Sequence, residues 1–205
     1  MAKPQYGKAR SPSEFPISAC SDEATPHHAQ MTTEESAEQI IRRLGLAPHP
    51  EGGYYAETFR SKETVTLANG RVRSAGTVIY FLLPEGSFSA LHRVAADEAW
   101  HHYSGAPLEL VTISPEGVVQ RILLGNNFAA GERPQHVVPA GHWQGARPLP
   151  AGNEGTRFTL VGCTVSPGFD FQDFEMPSRA FLLEIFPQHR PVILEFTYPP
   201  ETVIL

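Results

Sequence analysis

The chain has 205 residues, 41% of them apolar, enough for one domain with a real core. Its 22 acidic against 16 basic residues argue against nucleic acid or an anionic membrane surface as the main partner. No apolar stretch approaches a membrane span, no continuous apolar segment opens the chain, and two cysteines make no disulfide framework, so a cytoplasmic home is expected.

Residues 1–30, rich in Pro, Ser, Ala and Gln without a period, are expected to form a disordered extension. That leaves 31–205 as a single domain. Thr32-Thr33-Glu34-Glu35 fits a capping box. Ala37, Ile40, Ile41 and Leu44 follow at helical spacing up to Gly45, so the pattern predicts an N-terminal helix. From Tyr54 onward, β-branched and aromatic runs predict strands over 54–60, 77–83, 87–94, 98–103, 108–114, 118–124, 135–138, 157–165 and 192–197. Pro84-Glu85-Gly86, Pro115-Glu116-Gly117, Gly125-Asn126-Asn127 and Pro139-Ala140-Gly141 supply turns between them. Ser178 is placed to cap a short C-terminal helix carrying Phe181, Leu182 and Ile185, stopped by Pro187. Many strands without alternating helices predict an all-β sandwich or barrel. No internal repeat suggests a duplicated domain.

Alternation puts Glu98, Trp100 and His102 on one face of their strand, with His101 and Tyr103 on the other. On the preceding strand Phe88, Ala90, His92 and Val94 share a face. A hairpin through residues 95–97 would turn His92 and Glu98 toward one interior. An imidazole beside a carboxylate suits either a divalent metal or a proton-transfer pair.

Gly86, His92, Val94, Glu98 and Gly105 spell G-x5-H-x-V-x3-E-x6-G. This resembles the first metal-site motif of the cupin superfamily, with valine at one histidine position. Pro139-Ala140-Gly141-His142-Trp143-Gln144 resembles the second, P-x-G-x2-H, with Gln144 in the histidine place. The full set has three histidines and one glutamate on the metal. Glutamine is a poor ligand and valine none, so no cofactor is the first expectation. A divalent metal on His92, Glu98 and Gln144 is the alternative.

His49-Pro50-Glu51-Gly52-Gly53-Tyr54-Tyr55, Ile79-Tyr80-Phe81-Leu82-Leu83, Asp97-Glu98-Ala99-Trp100-His101 and Val165-Ser166-Pro167-Gly168-Phe169-Asp170-Phe171 extend the resemblance to the cupin_5 family. That resemblance implies a cupin double-stranded β-helix, an RmlC-like jelly roll, with a pocket inside the barrel and a homodimer as the usual state. It also implies that the depleted metal set is a family trait.

Each candidate residue has two readings. His92 is a pocket group or a core histidine bonded to a carbonyl. Glu98 needs a partner if buried, His92 or an arginine being the nearest choices. Trp100 is core or a substrate platform; His102 is in the pocket or at the barrel mouth. Gln144 binds ligand or steadies a turn. The His49–Gly53 segment is a structured turn or a pocket edge. Arg60 and Arg93 anchor a ligand anion or form surface ion pairs. Phe169, Phe171 and Phe174 read as core or dimer interface, Asp170 and Asp173 as solvated, and Cys163 as a small buried hydrophobe.

Three functions fit. The first is a metal-independent isomerase, epimerase or lyase on a small polar metabolite, with His92 as base, Glu98 tuning it and Tyr80 or Tyr103 as proton donor. The second is a non-catalytic small-molecule receptor. The third is a metal-dependent enzyme with a reduced ligand set.

Overall fold

A computed structural model describes residues 35–150 and 157–200. The expected extension over 1–30 lies outside them, as do Cys20 and Thr32, the first residue of the expected capping box. Helix α1 (Ala37–Leu44) is capped from Ser36 instead. The Ser36 hydroxyl accepts from the Gln39 amide at 3.3 Å, and Gln39 Oε1 accepts from the Ser36 amide at 2.7 Å. The box is the expected device one turn later, with Gln39 in the role assigned to Glu35. Gly45, left-handed at φ 65°, closes the helix. Ser36→Ala should lower unfolding stability by about 1 kcal/mol in urea titration.

Two antiparallel sheets form the body. One orders β1 (Ala47–Pro48), β2 (Tyr54–Arg60), β5 (Thr77–Pro84), β12 (Phe158–Ser166), β7 (Asp97–Gly105) and β10 (Gln135–Val138). The other orders β13 (Phe174–Glu175), β6 (Ser89–Val94), β11 (Trp143–Pro148), β8 (Leu108–Ile113) and β9 (Val119–Leu124). A separate hairpin pairs β3 (Thr64–Thr66) with β4 (Val72–Ser74). Phe81, Trp100 and Val161 from the first sheet meet Leu110, Leu124 and Ala146 from the second, so the main core lies between them. The result is a jelly roll.

Both outer faces are partly covered. Ile40, Ile41 and Leu44 of α1 pack on Leu82 and Phe158. On the opposite face Leu182 of α2 (Arg179–Ile185) and Ile193 of α3 (Arg190–Glu195), with Phe196 just beyond α3, cover Leu91, Val111 and Trp143. The predicted helix with its Ser178 cap is α2.

One expectation of element type fails. Residues 190–195 are helical, although β-branched content predicted a strand over 192–197. Val192, Ile193 and Phe196 lie on one helical side, and burying that side against Leu91 and Trp143 outweighs propensity. Strand β11 went unpredicted; its Gly145 and Pro148 are residue types depleted in strands. It is held by ladders to β6 on one side and β8 on the other. The short strands β1, β3, β4 and β13 were also missed.

The expected hairpin between the His92 and Glu98 strands does not form. At Ala95 and Ala96 the chain crosses from one sheet to the other, so β6 and β7 face each other across the interior. Val94 pairs instead with Phe174, and its carbonyl accepts from the Gly141 amide at 2.9 Å. The second crossing, at Pro139–Gly141, meets the first. Asp97 Oδ1 accepts from the Ala140 amide at 2.8 Å, which ties the two corners together.

Candidate functional site

The strand faces turn His92, Val94, Glu98, Cys163 and Val165 toward a cavity of about 300 Å³ between the sheets. A second source of side chains is the turn at His49–Gly53. Gly52 and Gly53 have φ of 109° and 70°. A Cβ on Gly53 would sit 2.8 Å from the Leu82 carbonyl oxygen, and one on Gly52 would collide with that of Phe88. Glycine therefore lets the turn lie against β5 and the start of β6. The Glu51 carbonyl accepts from the Ala90 amide at 2.8 Å, which docks the turn and buries the Glu51 side chain.

Glu51 is the group that sequence reasoning left without a role. Its Oε1 accepts from the Ser89 hydroxyl at 2.8 Å. Its Oε2 lies 3.4 Å from both His92 Nε2 and His49 Nδ1. The only local signal was two titratable residues between a proline and a Gly-Gly pair, which read equally as a turn. The pocket-edge reading of that segment matches where it lies.

His92 has its tautomer set by its neighbours. Nδ1 is 2.8 Å from the Ala90 carbonyl oxygen, which only accepts, so Nδ1 carries the proton. Nε2 keeps its lone pair toward Glu51 and the cavity. Phe174 stacks on the ring at 5.4 Å.

Trp100, Gln144 and Glu98 form a relay. The Trp100 indole N–H donates to Gln144 Oε1 at 2.9 Å, and the Gln144 amide donates to Glu98 Oε2 at 2.6 Å. An indole N–H can only donate, which fixes the direction of the amide. Trp100 is thus buried support behind the cavity, and Gln144 positions Glu98. Trp100→Phe leaves Gln144 Oε1 without its donor and should cost about 1–3 kcal/mol in denaturant unfolding.

Burial disfavours charge on the floor of the cavity. It pushes the Glu51 carboxyl up to about 8 and His49 down to about 4. Burial also raises Glu98 and lowers His92; the attraction between those two opposes both shifts. The Cys163 thiol is raised well above its ordinary value by the same burial, so it stays a thiol beside Glu98.

The outer wall is built by Phe169, Phe171 and Phe174, read from the sequence as core or dimer interface. Asp173 in the same segment is not solvated. It accepts from Arg73 Nε at 2.7 Å and pairs with Arg71 at 2.6 Å, which straps the segment to the β3–β4 hairpin. Arg60 reaches the cavity, but Glu57 holds its Nε and Nη2 at 2.9 and 2.6 Å, and the Phe169 carbonyl takes Nη1 at 3.0 Å. Arg93 lies elsewhere, over the Trp143 ring and paired with Glu175.

Three candidates fall outside the cavity. Tyr80 lies among the residues under α1, and Tyr103, 45% exposed, packs against it on the outer sheet face. Each sits at a strand position of opposite parity to the cavity-lining residues, which removes them as proton donors. His102 is buried, with Nε2 3.1 Å from the Ala106 carbonyl and Nδ1 3.3 Å from the Asn126 amide.

The suggested metal set does not fit a divalent ion. Gln144 points its oxygen at the Trp100 indole and turns its N–H groups, which cannot ligate a metal, to Glu98. Among the described residues no three His, Cys, Asp or Glu side chains converge as a metal site.

A jelly roll with its polar groups gathered between the sheets defines a cupin-type protein. The chain belongs to the Cupin_5 family, described as Cupin superfamily (DUF985), whose model matches residues 38–177. It is 32% identical over 149 residues to the uncharacterized protein YML079W of Saccharomyces cerevisiae, covering 67% of this chain and 73% of the yeast one. Its structure is similar to a hypothetical protein from Leishmania major, at 42% identity and a TM-score of 0.76, over 80% of this chain and 100% of that one. A Shewanella oneidensis protein is similar at 41% identity and a TM-score of 0.72, over 80% and 99% of the two chains. No described helix is long and apolar enough to cross a membrane.

Proposed function

We propose that the chain binds a small polar metabolite in the cavity between the sheets and moves a proton on it, as an isomerase, epimerase or lyase. The observation that carries the reading is His92 with Nδ1–H committed to the Ala90 carbonyl and Nε2 left basic beside Glu51. His92 takes a proton from carbon next to a carbonyl, and the C–H electron pair moves onto the carbonyl oxygen. Glu98, pushed toward its protonated form by burial and held by Gln144, donates a hydrogen bond to that oxygen. The His92 imidazolium so formed returns the proton to carbon, so neither tyrosine is needed.

The test has two parts. Mass spectrometry identifies any small molecule retained by natively purified protein. That molecule, or a metabolite extract, is then incubated with the protein in D2O. Deuterium wash-in at one carbon is the expected result. A retained ligand that never exchanges would leave a binding protein, and exchange that stops with chelator would return the chemistry to a metal.

A further inference from the structure

We infer that the cavity takes an organic cation, a small molecule whose protonated amine pairs with the Glu51 carboxyl while its apolar part meets the phenylalanine wall. The inference rests on reading this cavity as the ligand site and names the class of ligand.

The balance of charged groups points there. The lining carries Glu51, Glu57, Glu98 and Asp170 against one guanidinium, Arg60. Arg60 is already paired with the Glu57 fork and bonded to the Phe169 carbonyl. A ligand carboxylate or phosphate reaching the floor would leave water and meet no free cation among the described lining residues. It would face two carboxyls instead, and a buried anion without a partner is costly. An ammonium meets the opposite situation. The two buried carboxyls have no cationic side chain beside them, and an entering amine supplies one. Phe169, Phe171 and Phe174 form a triangle with ring centroids 5.0 to 6.0 Å apart, and aromatic faces attract ammonium groups.

Pairing with an ammonium requires a carboxyl to ionise, so binding releases a proton. The groups around Glu51 are His49 on its own turn, His92 and Ser89 from β6, Glu98 from β7, Cys163 from β12, and Tyr198. None of them is a fixed cation at neutral pH. With Glu51 held at about 8, affinity for an ammonium should rise with pH until that value is reached.

Calorimetric titration of the full chain with benzylammonium, benzyl alcohol and benzoate compares one ring in three charge states. Benzylammonium should bind at least about tenfold tighter than the other two and gain about tenfold from pH 6 to 7. Buffers of different ionisation heat should report proton release, which Glu51→Gln should reduce. Preference for benzoate or benzyl alcohol, ammonium binding without proton release, or no binding of benzylammonium overturns the inference. Deuterium wash-in judges the other claim separately. Wash-in with benzoate preferred keeps acid–base chemistry and removes the cation; ammonium preference without wash-in does the reverse.

Discussion

Glu51→Gln should stabilise the protein at pH 8 by about 4 kcal/mol, with the gain fading to nothing below pH 4.5. The carboxyl moves from 4.5 in the unfolded chain to about 8 in the fold, at about 1.4 kcal/mol for each tenfold. A raised carboxyl favours its protonated form when folded. Its contribution is therefore complete below pH 4.5 and is lost as pH rises toward 8. Glutamine keeps the neutral shape: its oxygen accepts from Ser89, and its N–H groups face the lone pairs of His92 Nε2 and His49 Nδ1. His49 works in the opposite sense. Held at about 4, it stabilises the fold above pH 6.5 and withdraws that support as pH falls toward 4. Native stability should accordingly peak between these two losses, near pH 5 to 6, and the Gln variant should lose the Glu51 share of the alkaline decline. Urea unfolding of both proteins from pH 4 to 9 measures this. Equal stability at pH 8 would mean that Glu51 ionises freely in the fold.

Much of the architecture was legible in the sequence because it rests on local alternation. The parity that put Glu98, Trp100 and His102 on one face is the parity seen, and all three are buried. What alternation does not reveal is the partner of each strand. His92 and Glu98 were paired as neighbours in a hairpin, yet they converge from opposite sheets because the chain crosses at Ala95 and Ala96. The same limit hid β11, whose Gly145 and Pro148 are residue types depleted in strands although two ladders enclose it. At the site, the motif led to His92, Glu98 and Gln144 but was silent on Glu51. That carboxyl arrives from a turn about forty residues upstream of His92, and its place depends on a backbone approach that only glycine permits. Tyr80 and Tyr103 were candidates by chemistry alone; strand parity relative to Phe81 and His102 already argued against them.

His92→Ala should reduce deuterium wash-in by about 10²- to 10⁴-fold, the usual contribution of a positioned general base. The residue is well placed for so large an effect. Its Nδ1 proton is fixed by the Ala90 carbonyl, so the ring cannot offer its basic nitrogen anywhere except Nε2. Burial lowers its affinity for a proton, which keeps Nε2 free at neutral and mildly acidic pH. His92→Gln separates shape from basicity, because the amide can still bond to the carbonyl but accepts no proton. Both variants should bind benzylammonium within about threefold of the parent, since the Glu51 carboxyl that pairs with it remains. The pH profile adds a readout that packing alone does not produce. Wash-in needs His92 neutral, so the rate should fall at acid pH through His92. An unchanged wash-in rate in His92→Ala would remove the imidazole from the chemistry and leave the cavity as a binding site.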